Sequence, residues 1–320
     1  MIFKLEFGVF EILAMIGAGL YLLTIAADWL VNGAANLARR IGVSPLVIGL
    51  TVVAFGTSMP EMVVSVDASL AGNPGISVGN VVGSNIFNIA MILGIAALIS
   101  PISCSRTAVK RDVPIMIGVS GLMWYLSSDR LISKYESIFL FTILIAYTLF
   151  SYIKSSPDEV QVDELSDTST TLFSEIKLIV FGLIAMIAGS KLLLHGSVAV
   201  ARVAGISDEV IGLTLIAAGT SLPELATSVV AALRGQADIA IGNCVGSNIF
   251  NILGILGVAG MILPLEVSEH MANIDCPIMF VIALGCLPIM STGLKITRFE
   301  GIILLTAYVA YTWVLFQTPV

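Results

Sequence analysis

One motif block occurs twice in this chain, and that duplication restricts the possible folds more than any other feature. The segment IGVSPLVIGLTVVAFGTSMPEMVVS, beginning at Ile41, aligns without a gap to AGISDEVIGLTLIAAGTSLPELATS, beginning at Ala204. At the same offset, ISVGNVVGSNIFNIAMILG from Ile76 matches IAIGNCVGSNIFNILGILG from Ile239. Well over half of the aligned positions are identical, and the register that joins Thr57 to Thr220 also joins Glu61 to Glu224 and Asn88 to Asn251. Self-similarity of this kind points to one gene duplicated and fused into two structural units.

Hydropathy says where the two units sit. Of the 320 residues, 57% are hydrophobic and only 12% are charged, so a soluble fold would leave large apolar areas in water. Apolar runs such as Phe139 to Tyr152, Leu178 to Ile187, Ile278 to Met290 and Ile302 to Leu315 lie in stretches long enough to cross roughly 30 Å of hydrocarbon as helices. A transmembrane barrel would instead alternate polar and apolar residues. The spans predicted in this way number about ten, five per half: residues 8–32, 44–70, 76–100, 112–127 and 136–153, then 174–200, 207–233, 238–262, 273–291 and 299–316. An odd number per half inserts the second copy upside down. The expected fold is an all-α membrane protein of two inverted five-helix repeats, an arrangement found in many secondary transporters. The halves are residues 1–153 and 174–320, with motif repeats at about 41–94 and 204–257, joined by a linker at 154–173.

Loop charges orient the chain. With the N-terminus outside, the cytoplasmic loops collect Arg39, Arg40, Arg106, Lys110, Arg111, Lys154, Arg234, Lys295 and Arg298, while mainly Lys4, Arg130, Lys134 and Arg202 remain outside. The expectation is a multi-pass cell-membrane protein with both termini extracellular and the linker cytoplasmic. Met1 to Leu30 carries Glu6, Glu11 and Asp28 and lacks a basic leader and a cleavage site, so it reads as the first span. The linker's acidic run, Asp158, Glu159, Asp163, Glu164 and Asp167, reads as solvated chain in preference to a Ca²⁺ sensor. No basic stripe exists to hold nucleic acid, and the four cysteines show no paired spacing for a disulfide framework or a thiolate metal site. No cofactor and no obligate protein partner is implied.

Against this apolar background, Glu61 and Glu224 stand out. A charge at mid-membrane costs about 2.5–3.5 kcal/mol on insertion scales, and here it occurs twice at symmetric positions. In Gly56-Thr57-Ser58-Met59-Pro60-Glu61, the proline lacks a backbone donor and clashes with the preceding turn, which is expected to free carbonyls near Ala54, Gly56 and Thr57. Thr57 and Glu61 are four apart and share a helix face. The second copy offers the same set from Ala217, Gly219, Thr220, Ser221 and Glu224. Two such half-sites face to face would form an all-oxygen cage, which suits Ca²⁺ with six to eight ligands and Na⁺ with fewer.

The next span of each half carries Gly-Asn-x-x-Gly-Ser-Asn-Ile-Phe-Asn, residues Gly79 to Asn88 and Gly242 to Asn251. Ser84 and Asn88, like Ser247 and Asn251, are four apart and would present a hydroxyl and an amide to the cage. Asn80, Asn85, Asn243 and Asn248 either join them or tie helices together. Asp28 and Lys191, at matching positions, read as interface or snorkelling groups. Asp67 has no acidic counterpart, and His195 and His270 are single and unclustered.

The paired GTS-x-PE and GN-x-x-GSNIFN blocks resemble the α-repeats of the Ca²⁺/cation antiporter superfamily, most closely its prokaryotic Na⁺/Ca²⁺ exchangers. The resemblance implies a compact core of spans two, three, seven and eight, past which the long first and sixth spans slide. It implies that Glu61 and Glu224, with backbone oxygens at Thr57 and Thr220, hold Ca²⁺. Na⁺ would use Ala54, Ser58 and Ser84 on one side and Ala217, Thr220, Ser221 and Ser247 on the other, sharing both glutamates. Some relatives, notably in the K⁺-dependent branch, carry Asp where this chain has Asn251. Proton-coupled members typically show GN-x-x-E in place of GTS-x-PE. Exchange of Ca²⁺ for Na⁺ is thereby favoured over H⁺-coupled or K⁺-dependent antiport. Among other classes, an intramembrane hydrolase lacks a histidine or lysine base beside Ser58 or Ser221. A passive cation channel remains the main rival, because oxygen cages also serve as filters.

Overall fold

The computed structural model describes residues 8–155, 171–204 and 217–317. The acidic run of the linker and residues 205–216 of the second motif repeat lie outside the described residues.

Two long helices, α1 (Val9–Ile41) and, later in the chain, α7 (Leu172–Val203), run antiparallel along each other for most of their length. At 33 and 32 residues they extend about 50 Å, more than a bilayer core requires. Small residues spaced seven apart make their seam: Gly19, Ala26 and Gly33 on α1, and Gly182, Gly189 and Gly196 on α7. A Cβ at Gly19 would lie 2.6 Å from the Leu193 backbone nitrogen, and one at Gly182 would lie 2.9 Å from the Ala26 carbonyl oxygen. The helices therefore touch backbone to backbone, as in other small-residue membrane interfaces.

The next elements are α2 (Pro45–Thr57), α3 (Met59–Leu70) and α4 (Pro74–Ile99). Their counterparts are α8 (Ala217–Thr220), α9 (Leu222–Leu233) and α10 (Ala237–Ile262). α4 and α10 are the most enclosed helices and form the centre of the molecule. α10 lies against α2 through facing glycines: a Cβ at Gly242 would be 2.7 Å from the Leu46 carbonyl oxygen and 2.9 Å from Gly49 Cα. Each half closes with two further helices, α5 (Val113–Leu126) and α6 (Lys134–Ile153), then α11 (Met271–Leu294) and α12 (Arg298–Gln317). α5 packs on α11, α6 on the end of α10, and α12 on the end of α4. Two short antiparallel ladders link the halves, β1 (Ile102–Ser103) with β4 (Lys295–Ile296) and β2 (Leu131–Ile132) with β3 (Leu265–Glu266).

Among the described residues, seven helices are long and apolar enough to cross a membrane, or up to eight if the bent pair α2 and α3 is one span. Ten were expected. α5, with 14 residues, and α9, with 12, are short taken singly, and the start of the expected 207–233 span falls outside the described residues.

A paired carboxylate site at the helix breaks

α2 and α3 meet at a bend of 47°, with Ser58 at the joint and Pro60 in the first turn of α3. Ser58 adopts φ −81°, ψ 7°, and Ser221 adopts nearly the same conformation, φ −89°, ψ 9°, between α8 and α9. The same break is thus built twice. It differs in one respect from the sequence expectation, because the Ala54 carbonyl is not freed: it accepts the Ser58 amide at 3.0 Å. The proline can abolish only the bond that its own missing N–H would have made, which leaves the Gly56 carbonyl without that donor and the bond to Ser58 intact. The second break is tighter, with the Ser221 amide bonded to the Ala218 carbonyl at 3.2 Å.

The breaks bring the two motifs into contact, and the contacts cross between halves. Ser221 Oγ donates to Glu61 Oε1 at 2.8 Å, and Ser58 Oγ donates to Glu224 Oε1 at 2.9 Å. Both carboxylates are fully buried. The Thr57 hydroxyl donates to Asn243 Oδ1 at 3.1 Å, a further bond between the halves. Ser84 Oγ lies 3.2 Å from Ser221 Oγ, which adds α4 to the same group. The other carboxylate oxygen, Oε2, of each glutamate is buried without a protein hydrogen-bond partner. So are Ser247 Oγ, Asn251 Oδ1 and both polar atoms of the Asn88 amide. Buried polar atoms are nearly always paired, and a bare carboxylate oxygen is especially unfavourable, so the two free glutamate oxygens suit a cation. Among the described residues, no three His, Cys, Asp or Glu residues cluster as a metal site. The hydroxyls of Ser58, Ser84 and Ser221 around the glutamates are oxygen groups of the kind that hard cations prefer.

The structure separates the asparagines by task. Asn80 Nδ2 bonds to the Glu61 carbonyl at 3.1 Å and to Ser65 Oγ at 3.0 Å, and Asn243 Nδ2 makes the equivalent bonds to the Glu224 carbonyl and Ser228 Oγ at 3.2 and 2.9 Å. These two fasten the acid-bearing helix to its neighbour. Asn85 Nδ2 bonds to the Asn248 carbonyl, while Asn248 Nδ2 bonds to the Cys244 carbonyl. Asn251 Nδ2 donates to Asn85 Oδ1 at 3.0 Å across the halves. Ala54 is buried beside the first break. The Ala217 backbone begins α8 at the second.

Other charged residues acquire specific partners. Asp28 forms an ion pair with Arg234 at 2.7 Å, tying α1 to the end of α9, whereas Lys191 and Asp67 are exposed. His195 bonds to its own helix at Lys191. Sequence reasoning missed one pair altogether. Asp112 and Asp275, related by the motif offset, are both buried, each in a π-helical turn, and each accepts a tyrosine hydroxyl, from Tyr147 at 3.3 Å and Tyr311 at 3.1 Å. Arg111 completes the first cluster at 2.9 Å and His270 the second, also at 2.9 Å. Extending the alignment beyond the motifs would have matched the two aspartates.

Buried paired carboxylates at symmetric helix breaks, set among apolar membrane-length helices, define a multi-pass membrane protein that handles cations. The chain belongs to the sodium/calcium exchanger protein family, whose pattern matches twice, over residues 11–153 and 175–317. It is 40% identical to the putative antiporter CaxA of Alkalimonas amylolytica, over 94% of this chain and 97% of that one. It is 37% identical to the sodium/calcium exchanger MaX1 of Methanosarcina acetivorans, over 93% and 96%. Among solved structures, the sodium-calcium exchanger NCX_Mj superposes with a TM-score of 0.85 at 32% identity, covering 96% of this chain and all (100%) of that one.

Proposed function

We propose that this protein exchanges Ca²⁺ for Na⁺ across a membrane by alternating access, with both ions competing for oxygens around Glu61 and Glu224. The observation that carries the reading is the crossed pair of serine–glutamate bonds, which leaves one buried oxygen of each carboxylate without a protein partner. Ca²⁺ would take the two free carboxylate oxygens with neighbouring carbonyls, including those at Thr57 and Thr220. Na⁺ would use the positions at Ala54, Ser58 and Ser84 and at Ala217, Ser221 and Ser247, with Asn88 and Asn251 completing the polar walls. Ten crossings arranged as two inverted halves, 1–153 and 174–320, would place this site midway between the two surfaces. The antiparallel course of α1 and α7 and the repeated helix breaks support the inversion. In this topology both termini are extracellular and the 154–173 linker is cytoplasmic, in keeping with the loop charges.

Alternating access follows from the same contacts. Because the serine of one half holds the glutamate of the other, a change in occupancy is felt by both halves together. The test is Ca²⁺ uptake into vesicles loaded with Na⁺, K⁺ or neither at fixed pH. Uptake that follows only the outward Na⁺ gradient supports the reading. Uptake that ignores every counter-ion gradient identifies a passive channel instead.

A further inference from the structure

A groove of about 600 Å³, whose lining includes neither glutamate, opens between the start of α5 with the residues before it and the end of α11. Its walls include Val109, Pro114, Leu287 and Leu294, together with Ser291 and the cations Arg106 and Lys110. The two cations are four residues apart, both are exposed, and neither has an acidic partner among the described residues. Of the other basic groups at this end, Arg111 is held by Asp112 and Arg298 donates to the carbonyls of Leu98 and Ile99, while Lys295, next to the groove residue Leu294, is exposed. From Leu287 towards mid-membrane, the outer face of α11 continues apolar and exposed through Leu284 and Val281.

The duplication supplies an internal control. At the motif offset, the counterpart of Arg106 is Glu269 and that of Lys110 is Asn273. Glu269 is paired with Arg130 at 2.9 Å. The free cationic pair therefore exists at one end of a fold whose framework is repeated at both. Packing needs are common to the two ends and do not account for it.

We propose that this groove binds the headgroup of an anionic phospholipid, with the phosphate between Arg106 and Lys110 and an acyl chain along the apolar face of α11. Paired basic side chains over an apolar, lipid-facing channel complement such a molecule at both its ends, whereas free inorganic phosphate would leave the apolar walls unused. The site is separate from ion exchange and would anchor α5 and α11 to one leaflet.

The full-length protein in detergent, titrated with phosphatidylglycerol or phosphatidylcholine and read by native mass spectrometry, tests this. Phosphatidylglycerol should be retained preferentially. The double variant Arg106→Gln with Lys110→Gln should lower its occupancy by about tenfold. Lys134→Gln, an exposed charge at the opposite end, should not. Arg106→Lys with Lys110→Arg should keep the binding, which separates loss of charge from loss of fold. Equal retention of both lipids, or undiminished phosphatidylglycerol binding by the double Gln variant, would overturn the proposal. Displacement of the lipid by millimolar inorganic phosphate would reassign the site to a free anion.

Discussion

Ser221 reaches across from the second half to donate its hydroxyl to Glu61, 2.8 Å away in the first half. The reciprocal bond from Ser58 to Glu224 makes the two motifs one site, so neither half holds a complete set of partners. A bond to a charged acceptor is worth about 1.5–3 kcal/mol. Ser58→Ala and Ser221→Ala should therefore each reduce Na⁺-driven Ca²⁺ uptake by about tenfold or more, to a similar extent. A large effect from one alone, measured in the same vesicles, would show that the two bonds are not equivalent.

Neutralising either acid should separate stability from function. With no cation bound, two fully buried carboxylates share one small region, so Glu61→Gln or Glu224→Gln removes a like-charge cost. Thermal unfolding in cation-free buffer should occur at a higher temperature than for the wild type. Ca²⁺ should raise the Tm of the wild type through linkage, and in either variant both this rise and transport should be lost.

The seam between α1 and α7 admits no side chain at Gly19. Gly19→Ala places a Cβ 2.6 Å from backbone that cannot yield easily, so it should destabilise the protein by about 1–3 kcal/mol. Gly17→Ala, on the same helix with no atom within 4 Å of the new Cβ, should be neutral or stabilising by up to about 1 kcal/mol. Denaturation of the two variants in detergent gives the comparison directly.

Asn251→Asp turns a donor into an acceptor 3.0 Å from Asn85 Oδ1. Two facing oxygens require either an amide flip, which breaks the bond from Asn85 to the Asn248 carbonyl, or a bridging cation. Uptake by this variant should fall with Na⁺ alone and recover when K⁺ is supplied. An absence of any K⁺ response would show that the flip suffices.

Much of the site was legible in one dimension. The duplication is explicit, and the two glutamates declare themselves by the cost of charge in hydrocarbon. The four-residue spacing put Ser84 and Asn88 on one helix face by helix geometry alone, and of these two Ser84 lies beside Ser221. Other questions turned on which atoms a fold brings together. Freeing the Ala54 carbonyl seemed to follow from Pro60, yet the break falls after Ser58 and spares that bond. Asn80 and Asn243, which the sequence left open between ion contact and helix tie, donate their amide nitrogens to the Glu61 and Glu224 carbonyls.

Sequence by itself determined that this chain belongs in a membrane, that it is one unit written twice, and that Glu61 and Glu224 are a single position seen twice. These follow from periodicity and solvation cost, properties each segment carries wherever it lies. Tertiary structure decided that each serine serves the opposite glutamate, that Asp28 meets Arg234, and that Asp112 and Asp275 each hold a tyrosine. Those pairings join residues at least 35 positions apart along the chain, so only the packing of separate helices brings them within hydrogen-bonding distance.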